Sequence, residues 1–268
     1  MKKIISLVLA AALMLTALFA FTGCVKEDNV LTCGVTVLKN FNEQDANGNW
    51  IGFESEFAME VGKLIGMDVE FQVIDWGQKY SELNSGAIDC IWNGFTSNTK
   101  DSDGIERSEK VDFSHAYLDN AQCVVVNAAD LAAYTSAASL AGKKAAAEGG
   151  SAGETYAQSV TDKALVVAAT VQTDTFRELK AGAVDFVVVD RLLADNIVGK
   201  GDYASLAIVE AIEIEKEVYS IGCKKGGDLD EKINNALVEL LNEGKIEALA
   251  AKYNVRVTDS LMAMKTAK

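Results

Sequence analysis

Apolar and polar positions along the chain follow two periods. Residues 31–38 form a short apolar run of strand length. A polar loop follows, with Asp45-Ala46-Asn47-Gly48-Asn49 as its turn. Phe57, Ala58, Val61, Leu64 and Ile65 then recur at i, i+1, i+4, i+7 and i+8, the stripe of an amphipathic helix, and Gly66 is its stop. Residues 69–74 are a second strand. Strand, helix and strand in that order predict a parallel sheet with a right-handed crossover. Residues 121–126 and 219–223 read as further strands. Leu229, Ile233, Ala236, Leu237, Leu240 and Leu241 make a second helical stripe, broken at Gly244, and residues 246–253 continue as another helix.

The pattern also repeats. Leu83-Asn84-Ser85-Gly86-Ala87-Ile88-Asp89 returns as Leu179-Lys180-Ala181-Gly182-Ala183-Val184-Asp185. Each copy ends a helix on a glycine able to turn left-handed and feeds an apolar strand. Joints between helices and strands often look alike by chance; the alternative is two α/β lobes of like construction. Ligands of open α/β sheets bind beyond the carboxyl ends of strands. Asn93, Gly94 and Thr96 stand at such an end in one copy, and Asp190 in the other. Two lobes facing each other there would enclose a cleft. The chain is expected to cross between them near residues 118–121 and 216–220. Lobe 1 would span 31–118 and lobe 2 119–217, with 218–268 a return segment whose helices pack with lobe 1.

The start of the chain is an address. Met1-Lys2-Lys3 precedes an apolar run over residues 4–21 and then Thr22-Gly23-Cys24, the layout of a secretory signal. Thr-Gly-Cys also resembles the end of a bacterial lipobox, in which cleavage precedes a cysteine that carries diacylglycerol. Residues 1–23 would then be a leader, Cys24 the lipidated residue and 24–30 a polar tether. An uncleaved anchor or a plain signal peptide are the other readings, and each puts the rest of the chain outside the cytoplasmic membrane. Export permits disulfides, yet Cys33, Cys90, Cys123 and Cys223 fit no metal-pair spacing, and three of them lie in apolar runs that favour buried thiols.

Composition narrows the partners. Of 268 residues, 49% are hydrophobic and 24% charged, a globular balance. Asp plus Glu outnumber Lys plus Arg 39 to 25, giving −14, which argues against nucleic acid. A single histidine excludes His-pair metal sites. No catalytic residue, cofactor or metal is expected. The chain has no proline, an absence without an evident physical reason.

Taken in order, Gly48-Asn49-Trp50-Ile51-Gly52-Phe53-Glu54, the first repeat, Trp92-Asn93-Gly94-Phe95-Thr96, Glu106-Arg107 with Val111-Asp112-Phe113-Ser114, Leu140-Ala141-Gly142-Lys143-Lys144, Gly150-Ser151 and Val189-Asp190 resemble the solute-binding proteins of polar amino-acid ABC importers, extracellular solute-binding protein family 3. The resemblance covers residues 31–255. It implies an α/β fold of the type II periplasmic-binding kind, with two lobes joined by two hinge strands and closing on ligand. It also implies a membrane-anchored monomer outside the cytoplasm that hands an amino acid to an ABC permease, whose ATPase is cytoplasmic, since this chain lacks a GxxxxGK[ST] run.

A zwitterion carries two charges that are costly to bury unpaired. The resemblance assigns the carboxylate to Arg107, whose fork suits it, although about six additional residues within 97–105 separate it from Thr96. Ser151 and the N–H of Ala152 at a helix start would assist; Ser151 also reads as a plain helix cap. Asp190, the Gly94 carbonyl and the Thr96 hydroxyl would take the ammonium, with Asn93 adding a contact; Asp190 also reads as a helix N-cap. Trp76 and Phe41 would line the side-chain pocket. His115 and the run Lys100-Asp101-Ser102-Asp103 read as surface. Two alternatives stand beside this reading. One is a cyclohexadienyl or arogenate dehydratase on the same fold, with Glu154 or His115 as acid; the other is a ligand-sensing protein.

Overall fold

The computed structural model describes residues 29–266. The expected leader, Cys24 and the tether as far as residue 28 lie outside the described residues. The chain opens with β1 (Val30–Val35), the hairpin β2 (Glu43–Gln44) and β3 (Trp50–Ile51), then α1 (Phe53–Ile65), β4 (Asp68–Val73), α2 (Lys79–Ser85), β5 (Cys90–Ile91) and β6 (Asp112–Phe113). It crosses in β7 (Leu118–Asn127) to β8 (Ala145–Glu148), α3 (Ala152–Val160), β9 (Val166–Ala169), α4 (Gln172–Lys180), β10 (Phe186–Asp190), α5 (Arg191–Ile197) and β11 (Leu206–Ile208). It returns through β12 (Lys216–Tyr219) to β13 (Gly222–Cys223), α6 (Leu229–Asn242), α7 (Lys245–Tyr253) and α8 (Asp259–Met262).

Two sheets result. The first has the order β4-β1-β5-β13-β6 and the second β11-β7-β10-β8-β9, with β12 paired to β7. β1 and β5 run parallel, as do β8 and β10. The two connecting strands lie side by side and antiparallel, Lys216 opposite Ala121 and Tyr219 opposite Leu118. Residues 219–223 form two strands rather than one. Ser220 N–H donates to Phe95 O and Ile221 N–H to Ser114 Oγ, and at this step the chain leaves the partnership with β7 and joins the first sheet.

The sequence repeat has a structural cause. Gly86 and Gly182 take φ of 79° and 70°, the left-handed turn open to glycine. The aspartate that follows each then clamps the neighbouring parallel strand at two points. Asp89 N–H donates to Thr32 O and its Oδ2 accepts from Thr32 N–H, both at 2.8 Å. Asp185 does the same with Lys144, at 2.9 and 2.8 Å. Each lobe therefore sets the register of its central parallel pair with the same device.

The first lobe closes over Phe53, Phe57, Trp92 and Tyr117, all buried, and α6 and α7 pack on α1. Val124, Val126, Phe186 and Val188 are in the core of the second. Cys33, Cys90 and Cys223 stand in register on β1, β5 and β13. They and Cys123 are buried, and no disulfide is formed among the described residues. No helix of the described residues is long and apolar enough to cross a membrane.

Candidate ligand site between the lobes

Both halves of the site sit at carboxyl ends of strands. Lobe 1 contributes Thr36 and Leu38 after β1, Asn93, Gly94 and Thr96 after β5, and Trp76 and Arg107 from loops. Lobe 2 contributes Gln122 from β7, Glu148 at the end of β8, Ser151 and Ala152 at the start of α3, Gln172 at the start of α4, and Asp190 at the end of β10. These residues line one cavity. Its free space is about 10 Å³, room for roughly one water, because the lobes touch across it. Lys79 Nζ and Arg107 Nη2 of lobe 1 donate to Gly150 O of lobe 2 at 2.9 and 3.4 Å. Asn40 Nδ2 meets Asn196 Oδ1 at 2.9 Å.

Arg107 is 1% exposed. Its Nε donates to Asp101 Oδ1 at 2.8 Å and Nη1 to Thr96 O at 3.1 Å. With the bond to Gly150, three of five guanidinium N–H groups are placed, which leaves one on each terminal nitrogen, the pair that suits a carboxylate. The loop over residues 97–105 makes this placement. Lys100 bridges Glu106, Asp101 N–H donates to Ile105 O and Gly104 N–H to Asp101 O, so the added residues fold as a tight hairpin and return Arg107 to the cleft. Asp101, expected on a solvated surface, instead pairs with Arg107 and Lys110 and accepts from Tyr80. Burial works against its charge, but those cations hold its carboxyl below the usual range.

Asp190 stands opposite, 4% exposed. It occupies the N-cap position of α5 without a side-chain cap bond. Its Oδ1 accepts from Asn120 and Gln122 at 2.8 and 2.7 Å, and Oδ2 accepts from Gln172 Nε2. A carboxylate has about four acceptor positions, and these amides fill three. Burial pushes its pKa up while Gln172, the Tyr219 hydroxyl, Gln122 and Asn120 pull it down. Glu217 of β12 was not foreseen. Its Oε2 accepts from Thr96 Oγ1, Asn120 Nδ2 and Gln122 Nε2 at 3.0, 3.2 and 2.9 Å. Burial, and then repulsion by Asp190, raises it to about 7. By taking the Thr96 proton, Glu217 leaves that hydroxyl to act as an acceptor.

The other expected residues divide. Ser151 caps α3, accepting from Glu154 N–H at 3.0 Å, and keeps its own proton as a donor at the cavity. Asn93 lines the cavity, but its amide is committed to Thr36, donating to Thr36 O at 2.7 Å. Trp76 lines it edge-on to Phe95, with centroids 5.5 Å apart. Phe41 does not reach it. Phe53 N–H donates to Asn40 O and Ser55 N–H to Phe41 O, which ties the loop to the start of α1 and turns Phe41 into the core at 1% exposure. Leu38 lines that side of the cavity. His115 and Glu154 do not line it. His115 N–H donates to Asn234, and Glu154 Oε2 accepts from Gly150 N–H. No group of three or more His, Cys, Asp or Glu side chains among the described residues could hold a metal.

Sequence reasoning missed Gln122, Glu148, Gln172, Glu217 and Lys79. For Gln122, Glu148 and Glu217 a polar residue within or at the end of a strand was the available signal; Gln172 and Lys79, at helix starts, carried none. Lys79 is 2% exposed, with Nζ 4.7 Å from the Tyr80 ring centroid, 5.1 Å from Trp76 and 5.9 Å from Phe95. Burial, helped by Arg107, lowers its pKa to about 7.

Comparison with known proteins agrees with this fold. The chain is 27% identical over 234 residues to the L-cystine-binding protein TcyJ of Escherichia coli (strain K12), covering 85% of this chain and 84% of that protein. It superposes on an ancestral arginine-binding protein bound to arginine with a TM-score of 0.75 at 31% identity, covering 84% of this chain and 98% of the other. An ancestral arginine-binding protein bound to glutamine gives 0.76 at 32% identity, covering 85% and 98%. Two lobes meeting at strand ends around an opposed arginine and aspartate, together with a match over residues 31–256, make this chain a member of the bacterial extracellular solute-binding proteins, family 3.

Proposed function

We propose that this protein captures one free amino acid between its lobes and delivers it to the membrane permease of an ABC importer, which a cytoplasmic ATPase drives. The observation that carries the reading is the opposed pair. A buried guanidinium with one N–H left on each terminal nitrogen and a buried carboxylate line the same cavity from different lobes. Only a ligand bearing both charges satisfies both. Arg107 takes the carboxylate, with the Ser151 hydroxyl and Ala152 N–H assisting. Asp190, the Thr96 hydroxyl and the Gly94 carbonyl take the ammonium, and Trp76 covers the side chain. Because the closed cavity is so small, the lobes must part about β7 and β12 to admit ligand. Residues 1–23 act as the leader and 24–30 as the tether. The Cys24 lipid holds the protein, as a monomer, on the outer side of the cytoplasmic membrane.

Thermal unfolding against the twenty amino acids, cystine, ornithine and glutathione tests this. A ligand at a hundred times its Kd stabilises by about 2.7 kcal/mol, which moves Tm by about 5–10 °C for a chain of this size. One or a few amino acids are expected to do so, and Arg107→Ala and Asp190→Ala to abolish the shift. A cooperatively folded protein that no amino acid stabilises contradicts the reading.

A further inference from the structure

The zwitterion clamps leave one charged group of the cavity unused. Glu148, the last residue of β8, is 2% exposed and lines the same cavity as Arg107 and Asp190. Its Oε1 is buried and has no hydrogen-bond partner. A buried acceptor left unpaired is destabilising, and more so when charged, so a donor belongs there. The nearby cation does not supply it. Lys79 gives its bonds to Trp76 O and Gly150 O. The other carboxylate behind the wall, Glu217, is already held by Thr96, Asn120 and Gln122.

With Arg107 and Asp190 matched to the two ends of a zwitterion, Glu148 is the carboxyl left over. Trp76 and Leu38, lining the same cavity, provide an apolar wall for a methylene stem and a ring face for a flat cation. We propose that Glu148 selects the side chain of the bound amino acid and takes one that carries a positive charge, a guanidinium or ammonium on a methylene stem. This rests on the amino-acid reading above and narrows it. Burial pushes the Glu148 carboxyl up to about 8, with Asp190 adding to the shift and Lys79 and hydrogen bonds from Gln172 opposing it; a cation docking against it would hold it ionised.

Calorimetric titration of the intact protein with L-arginine and with L-citrulline, its uncharged counterpart of the same length, is the direct test, with L-lysine and L-glutamine as the second pair. The charged member of at least one pair is expected to bind about tenfold tighter or more. Glu148→Gln is expected to bring the two affinities within about threefold of each other. Equal or better binding of the uncharged members in the wild type, which needs no variant to establish, overturns the role of Glu148 while leaving amino-acid capture standing. So does a preference that survives Glu148→Gln. Failure of every amino acid to bind removes the zwitterion reading itself, and this inference with it.

Discussion

Single residues in this protein are governed by what burial does to charge. Glu54 on α1 is fully buried, accepting from Tyr117 Oη at 2.8 Å, and burial raises its carboxyl from 4.5 to about 8. Between those two values the native state keeps a proton that the unfolded chain has released. The stability from this group is therefore complete below pH 4.5 and is lost as pH rises through 8. Glu148 and Glu217, raised to about 8 and about 7, act in the same sense. Lys79, lowered from 10.5 to about 7, acts in the opposite sense, but above pH 7. Tm is thus expected to fall between pH 5 and pH 7, and Glu54→Gln to flatten the fall. A Tm that stays level over that range, or a slope identical in Glu54→Gln, contradicts the burial account. The same physics limits what the sequence reveals. Arg107 and Asp190 can be read because local motifs flank them. Glu148, Gln122 and Glu217 have no such motif, since their roles arise only where strands far apart in the chain meet. Asp101 reads as loop charge because nothing local reveals that its hairpin folds back onto Arg107.

Elements are positioned by a few backbone contacts that composition alone does not disclose. The helical stripes, their glycine stops and the echoed helix-to-strand joint are legible, because periodicity and left-handed glycines are local properties. The echo is more than resemblance, since Asp89 and Asp185 clamp equivalent strands with equivalent bonds. The loop before α1 is where reading fails. Phe41 is aromatic and lies in a loop that resembles a ligand loop, but hydrogen bonds to α1 turn it inward. Gly52 permits that approach. It has φ of 107°, and a Cβ there would stand 2.3 Å from Phe41 O. Gly52→Ala is expected to destabilise by about 3 kcal/mol, combining left-handed strain with a backbone clash. Gly86→Ala, with φ of 79° and nothing within 4 Å of its Cβ, costs about 1 kcal/mol. Urea unfolding compares the two, and equal costs would show that the loop does not press on α1.

At the scale of the molecule, two lobes with their strand ends facing each other put one charge of a pair on each side of a cleft. Among the described residues the chain passes between them through β7 and β12, and Asn120, Gln122 and Glu217, which help orient Asp190 and Thr96, lie on those two strands. Closure and the geometry of the clamps are thereby built on the same strands. The two-lobed class was readable from the repeat and the order of motifs. The near-complete closure of the cavity was not, because it depends on contacts such as Lys79 to Gly150 that join residues from different lobes. On the proposed reading Arg107 and Asp190 hold the two ends of one zwitterion. Calorimetric titration of the wild-type protein with its most stabilising amino acid, the methyl ester of that amino acid and its N-acetyl form tests this without altering the protein. Removing a charge-assisted partner of a buried group costs about 1.5–3 kcal/mol or more. Each blocked form is therefore expected to bind at least about tenfold more weakly. An ester or N-acetyl derivative that binds as tightly as the free amino acid would contradict the claim.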